Sequence, residues 1–327
     1  MTNYDGIPDE GIKNVSYNLF REISKKHEVL HINSKSMGSV ESWRKIKHFR
    51  PQIVHVFLRP TIQVLIISKL LKIYLNNPTI IISALQPPEH KFLNRVLTPL
   101  IKSNLFLTQS DKTEKMLHDL GANVQFFPNG IDIGKFDPVD DDNVKNDLRI
   151  KYGIDTKKFV LLHIGHINKG RNLSILNMIQ KLENVQVIVV GSTNSFNFDS
   201  TVYNSLIENG CIVWRKYFDK LEEIYQLSDC YIFPTVNQNY CIEIPLSILE
   251  AMSCNLPVIT TKFGALERIF TRGDGLFFVN SENEFQNVLY DITSNSVNIQ
   301  TRNKVIKYGW SDISHFLEKI YFEQVSR

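Results

Sequence analysis

The amino-acid sequence predicts an α/β protein of two tandem domains, each a parallel sheet covered by helices on both faces. Three observations carry the prediction. Apolar runs of strand length alternate with amphipathic segments of helix length from one end of the chain to the other, which is the pattern of parallel sheets joined by crossover helices. The 327 residues are too many for one ordinary core and suit two domains of typical size. A polar, acidic stretch, VDDDNVKND at 139–147, interrupts the alternation near mid-chain and reads as a solvated connection between domains. The domains are therefore placed at 1–139 and 140–310, with a C-terminal helix over 311–327 returning to the first.

In the first domain, strands are expected at HEVLHIN (27–33), QIVHVFL (52–58), TIIISAL (79–85), NLFLTQS (104–110) and NVQFFPN (123–129), with helices near 12–25, 61–76, 90–102 and 111–120. Only MTNY precedes the turn-like DGIPDEG. Because doubly wound domains open with a buried strand before a glycine-containing turn, the expectation is a short or missing first strand that leaves neighbouring backbone unpaired. In the second domain, strands are expected at 159–165, 185–191, 211–216, 230–235, 256–261 and 275–280, with helices near 172–182, 199–208, 219–227, 245–253, 264–270 and 282–294. Ile313, Phe316, Leu317, Ile320 and Tyr321 recur at helical spacing and predict an amphipathic tail helix.

Composition narrows the function classes. Hydrophobic residues at 43% and charged residues at 22% describe a soluble globular chain. A net charge of +3 with lysines spread along the chain argues against nucleic acid as a partner, while permitting an anionic sugar nucleotide or the acidic face of a membrane. Cys211, Cys230, Cys241 and Cys254 form no C-x-x-C pair and read as reduced thiols of a cytoplasmic protein. The longest apolar run, Val64 to Leu75, is broken by Ser68, Lys69 and Lys72 and reads as a core helix, not a membrane span. The opening residues have neither the basic start nor the apolar stretch of a secretion signal.

Ligands of open parallel sheets bind at the carboxyl ends of strands, where helix N-termini offer unpaired N–H groups. Four such places stand out. In FVLLHIGHINKGRNL the strand ends at Gly165 and turns through His166, Lys169, Gly170 and Arg171, two cations able to neutralise a diphosphate; alone, such a turn is equally a solvated loop. In NYCIEIPLSILEAMSCNLPV, Pro245 starts a helix that Asn255 and Pro257 end. Glu243 precedes that helix, Leu246 and Ser247 open it, and Glu250 lies about two turns inside. An inward Glu250 accepts hydrogen bonds from a ribose diol, and the helix N-terminus with Ser247 faces phosphate; outward, it is an ordinary surface glutamate. In FFPNGID, Asn129 and Gly130 form a turn at a strand end, where glycine lets backbone approach a ligand. The fourth, CYIFPT followed by VNQNY, is an ordinary strand and polar loop.

Taken in order, NLFLTQSDKTEKMLHDLGANVQFFPNGIDIGKFDP, LLHIGHINKGRN, LEEIYQLSDCYIFPT, IEIPLSILEAMSCNLPVITTKFGALERI, DGLFFV and YGWSDISHFLEKIY resemble the retaining family 4 glycosyltransferases of the GT-B fold. The resemblance covers nearly the whole chain. It implies two Rossmann-like domains facing across a cleft and a nucleoside-diphosphate sugar as co-substrate, with no cofactor and no metal. Lys169 and Arg171 then match the basic pair on the donor diphosphate, with Gly165 and His166 beside them, and Glu250 matches the ribose-binding second glutamate of the family's E-x7-E motif. Its first glutamate is displaced: eight positions before Glu250 stands Ile242, and the nearest carboxylate is Glu243, giving E-x6-E. Glu243 is taken as the catalytic-site carboxylate beside the transferred sugar. Gly6 and Gly11 resemble the glycine turn that faces the donor phosphates. The family's acceptor-side histidine is replaced by Leu85 or Gln86, with His90 the nearest substitute.

The resemblance implies transfer of a hexosyl unit, with retention, to a glycan or lipid-linked hydroxyl, as in polysaccharide biosynthesis. Two other readings stand beside it: a sugar-nucleotide-binding protein that does not catalyse, and an epimerase or phosphorylase of the same fold.

Overall fold

A computed structural model describes residues 1–2, 10–88, 98–102, 104–193, 198–294 and 297–326. The chain divides into two compact units. One comprises Met1–Gly130, Cys241–Ile244 and Trp310–Arg327, the other Ile131–Tyr240 and Pro245–Gly309.

The first unit is built on a wholly parallel sheet of β1 (Ile53–Val56), β2 (Thr79–Ala84), β3 (Leu105–Thr108) and β4 (Asn123–Phe126), in that spatial order, with Ile53 opposite Thr79, Ile81 opposite Leu105 and Leu105 opposite Asn123. Around it lie α1 (Gly11–Ile23), α2 (Val40–Phe49), α3 (Ile62–Tyr74), α4 (Thr98–Ile101), α5 (Asp111–His118) and the C-terminal helix Trp310–Val325. Hydroxyl caps explain where several helices begin. Ser39, Thr61 and Ser110 accept from the backbone N–H three residues on, satisfying donors that the helix itself leaves unpaired. Val56, Leu65, Leu71, Ile80, Ile82, Phe106 and Leu117 form its core.

One expectation needs correction here. The segment 27–33 forms no strand beyond a bridge at Asn33. Its neighbour is Thr2, which bridges Asn33 on one side and Phe57 on the other, and so short a contact builds no ladder. α2 was not foreseen, since its apolar positions are few: Ser42 and Ile46 are its buried residues. Of the helix expected over 90–102, the described part is α4, and His90 lies outside the described residues.

The second unit holds β5 (Phe159–Gly165), β6 (Val185–Gly191), β7 (Ile212–Trp214), β8 (Cys230–Phe233), β9 (Val258–Thr260) and β10 (Leu276–Phe278), all parallel in the order β10-β9-β8-β5-β6-β7. The chain starts at the centre with β5, builds outward through β6 and β7, then returns to the other side of β5 with β8. The gap between the carboxyl ends of β5 and β8 is thus the switch point of the sheet, where ligands of this architecture bind. The helices are α6 (Asp142–Tyr152), α7 (Ser174–Ile179), α8 (Ser200–Glu208), α9 (Leu221–Gln226), α10 (Leu246–Ser253), α11 (Leu266–Ile269), α12 (Glu282–Thr293) and α13 (Thr301–Val305).

The stretch 139–147, expected as a solvated connection, instead enters α6. Asp141 caps it, and Gly153 ends it in the left-handed region at φ 69°. Its buried anchor is Arg149. The second unit also begins earlier than residue 140, because Ile131 donates to the Tyr308 carbonyl at 2.9 Å and the Phe136 carbonyl accepts from Ser253 Oγ at 2.6 Å.

Candidate functional site

β5 is apolar except for His163, which is fully buried. Its Nδ1 lies 2.9 Å from the Ile232 carbonyl of β8; because a carbonyl only accepts, the ring proton sits on Nδ1 and Nε2 is left as an acceptor. Nε2 has no partner. Burial, reinforced by the nearby Arg171 and opposed by the Ile232 bond, lowers this histidine from 6.5 to about 4, so the ring is neutral at physiological pH.

β5 ends at Gly165, and the chain turns through Asn168 into a single 3₁₀ turn, Lys169–Arg171. A Cβ on Gly165 would stand 3.1 Å from an Arg171 terminal nitrogen and 3.3 Å from His163 Nε2. The glycine therefore leaves open the space that guanidinium and imidazole border. Arg171 is only 4% exposed, yet its side chain makes no hydrogen bond or ion pair among the described residues; Phe233 of β8 lies under it with the ring centroid 5.7 Å from Cζ. Lys169 is exposed and likewise has no ion pair among the described residues. Gly170 is covered by Tyr240, whose ring would lie 2.2 Å from an added Cβ. Across the switch point, buried Thr235 Oγ1 and Gln238 Oε1 have no partner, as does Asn168 Oδ1. Buried polar atoms are normally paired, and a cluster that is not marks a place where a polar ligand completes them.

α10 begins at Pro245 with no side-chain cap, so its first-turn N–H groups, with Leu246 buried and Ser247 half-buried, retain their partial positive charge. Glu250 lies on its inward face at 8% exposure. One oxygen accepts from the hydroxyl of buried Tyr225 at 2.5 Å, while the other has no hydrogen-bond partner among the described residues. Burial raises the Glu250 carboxyl, with the Tyr225 bond and Lys135 opposing. Tyr225, His163, Asn168, Thr235 and Gln238 were not singled out from the sequence. A histidine inside an otherwise apolar strand was the one available signal; the others depend on contacts made between segments.

The surroundings of the remaining expected site residues differ from one to the next. Glu243 is fully buried in the first unit, where it accepts from Ser110 N at 3.1 Å, Ser110 Oγ at 2.5 Å and Thr113 Oγ1 at 2.6 Å. Its carboxylate occupies the N-terminus of α5 with both oxygens engaged by that helix, where the expectation was a carboxylate beside the transferred sugar. Burial raises its pKa, and the Ser110 and Thr113 bonds oppose that shift. The position eight before Glu250, Ile242, packs against Gly11: a Cβ on Gly11 would lie 2.8 Å from Ile242 Cδ1. Gly11 is the first residue of α1, and Gly6 lies outside the described residues. Asn129 is locked between Gln109 Nε2 and the Ile244 carbonyl, each at 2.7 Å. Gly130 supports the Trp310 ring, which would lie 2.3 Å from an added Cβ. His166 is half-buried beside the basic turn.

Two parallel-sheet, Rossmann-like units, one with an unneutralised basic turn at its switch point, define the GT-B class of proteins. Residues 144–311, just over half of the chain, match the family model described as "Glycosyl transferases group 1", and the chain belongs to that family. A curated relative, the N-acetyl-alpha-D-glucosaminyl L-malate synthase of Bacillus anthracis, is 25% identical over 132 residues, which span 39% of this chain and 33% of that protein. Among solved structures, Anabaena HepE in complex with UDP and glucose superposes with a TM-score of 0.75 at 14% identity over 98% of both chains. Sucrose-phosphate synthase from Thermosynechococcus elongatus does so with a TM-score of 0.71 at 14% identity, over 92% of this chain and 82% of that one. At such identities these likenesses establish the fold.

Proposed function

We propose that this protein transfers a hexosyl unit from a nucleoside-diphosphate sugar to a glycan or lipid-linked hydroxyl, with retention at the anomeric carbon and without a metal. The observation that carries the reading is Arg171, a buried guanidinium with no anionic partner among the described residues, at the switch point of the second sheet. Burying an unpaired charge costs several kcal/mol, a cost that a bound diphosphate offsets. Anabaena HepE, of the same fold, is described in complex with UDP and glucose and with UDP-glucose, which supports a sugar nucleotide as the anion.

In this reading Arg171, Lys169 and the N-terminus of α10 neutralise the charge that grows on the departing diphosphate, the task a divalent ion performs elsewhere. Neutral His163 accepts from, and so orients, a donor beside Gly165. Glu250 grips the ribose diol with the oxygen that Tyr225 leaves unused. A radiolabelled sugar-nucleotide panel, incubated with lipid and glycan extracts in the presence of EDTA, tests the proposal. Transfer from one donor, lost in Arg171→Ala, is the expected result; transfer that EDTA abolishes, or that Arg171→Ala leaves intact, would overturn the part concerned.

A second reading, binding without transfer, is favoured by one observation: the place of the family's first glutamate is held by Ile242, and Glu243 is caged. Tight donor binding with neither transfer nor donor hydrolysis would establish it.

A further inference from the structure

α3 is apolar on both sides, although only one of them is covered. Val64, Leu65, Ser68 and Leu71 face the core of the first unit. Ile66, Leu70 and Ile73 are 47%, 48% and 69% exposed and, at i, i+4 and i+7, form one outward stripe. On no other helix face among the described residues do three large apolar side chains stand exposed. A helix that is apolar all round belongs in a core or in a lipid environment, and the sequence expectation of a core helix therefore accounts for only half of α3.

Charge identifies what covers the other half. Lys69 stands exposed within the stripe, and Lys47 Nζ sits 4.9 Å over the Tyr74 ring at the end of the helix. Lys72, held below its ordinary value by partial burial and then by the like charge of Lys69, gains from an anion placed between the two. The bias extends well beyond the helix. The 47 consecutive residues from Ser42 to Pro88 contain seven Lys and Arg and no Asp or Glu. The whole chain has 37 and 34, so the remainder, with 30 and 34, carries a charge of −4 against +7 here.

We propose that the outer face of α3 rests on an anionic lipid bilayer, with Ile66, Leu70 and Ile73 entering the boundary between headgroups and acyl chains and Lys47, Lys69 and Lys72 meeting lipid phosphates. No helix among the described residues is long and apolar enough to cross a membrane, and α3, at 13 residues, lies along the surface. The proposal is independent of sugar transfer.

Co-sedimentation of the full chain with vesicles of equal phosphatidylglycerol and phosphatidylcholine, and with phosphatidylcholine alone, tests it. Binding is expected on the mixed vesicles, at least about tenfold weaker on the neutral ones, and weakened by about 0.5 M salt. Lys69→Gln and Lys72→Gln should each weaken it about fivefold. The triple variant Ile66→Ser, Leu70→Ser, Ile73→Ser changes exposed positions only and should abolish it at unchanged circular dichroism. Equal binding to both vesicle types, no binding, or unimpaired binding by the triple variant would overturn the proposal, as would a wild-type dimer that the triple variant converts to monomer, which would assign the face to a second copy of the chain.

Discussion

The two ends of β5 each hold a buried arginine, and their surroundings treat them in opposite ways. At the start of the strand, Arg149 is 5% exposed and spends its donors on the carbonyls of Leu227, Thr156 and Lys158 and on Asp229 Oδ2 at 2.5 Å. Asp229 also accepts from Val160 N and Lys145, so the charge is closed within the fold. At the end of the strand, Arg171 is equally buried and has none of this. Since burial is the same, the missing partners are what separate the two, and in the proposed function they leave Arg171 as the charge that meets the donor. Two glutamates near the start of α10 repeat the contrast: Glu243 has both oxygens engaged, whereas Glu250 has one without a hydrogen-bond partner among the described residues.

The sharpest way to break this comparison is to remove each arginine. Arg149→Ala takes the donor from the carbonyls of Leu227, Thr156 and Lys158 and leaves Asp229 with Lys145 and Val160 N alone, and should lower the free energy of unfolding by about 3 kcal/mol in urea denaturation. Arg171→Ala should leave that value unchanged or raised, and an Arg171→Ala protein as unstable as Arg149→Ala would erase the distinction. Among the glutamates, Glu243→Ala leaves three donors unpaired and should cost about 3 kcal/mol of stability with little change in donor affinity measured by calorimetry. Lost donor affinity at full stability would return Glu243 to the site.

His163 extends the contrast to pH. Its folded-state value, about 4, lies below the unfolded 6.5, so the unfolded chain binds the extra proton and stability falls as pH drops from 6.5 towards 4. The loss amounts to about 3 kcal/mol for this depression of about 2.5 units. His163→Gln should flatten that part of the stability profile; an identical profile would place the dependence on other groups.

Donor affinity responds more modestly. Arg171→Ala should cost about 1.5–3 kcal/mol in binding of a nucleoside diphosphate, the range of a charged hydrogen bond. In the proposed function Glu250, whose carboxyl is raised by burial, accepts from the ribose as a carboxylate. Affinity should therefore fall as pH drops through that raised value. Tyr225→Phe, which removes the bond that holds Glu250 ionised, should shift the fall to higher pH and cost about 1 kcal/mol, with a smaller penalty for deoxyribose donors than in the wild type. An unaltered preference for the ribose diol would detach Tyr225 from ribose recognition.

Much of this architecture was legible in the residue order. Alternating apolar runs located the strands of both sheets to within a few residues, because strand and helix periodicities are local properties of the chain. Capping chemistry did the same for α10, where Pro245 opens the helix and Asn255, at φ 56°, ends it. The failures share one cause. α6 was read as a connection because its anchor is an arginine, which counts as surface until Asp229 and three carbonyls are brought to it. Likewise 27–33 was read as a strand because its composition suits one, although among the described residues its pairing is the single bridge between Asn33 and Thr2.

The sequence by itself determined the fold class, the places of the sheet strands along the chain, the basic turn after β5 and the glutamate inside α10, since each is a matter of spacing along the chain. Only the tertiary structure decided which charges are left without partners. Hydrogen bonds such as those from Ser110 and Thr113 to Glu243 join residues more than a hundred positions apart, and whether a buried charge is closed off or left open depends on such meetings, which no local pattern encodes.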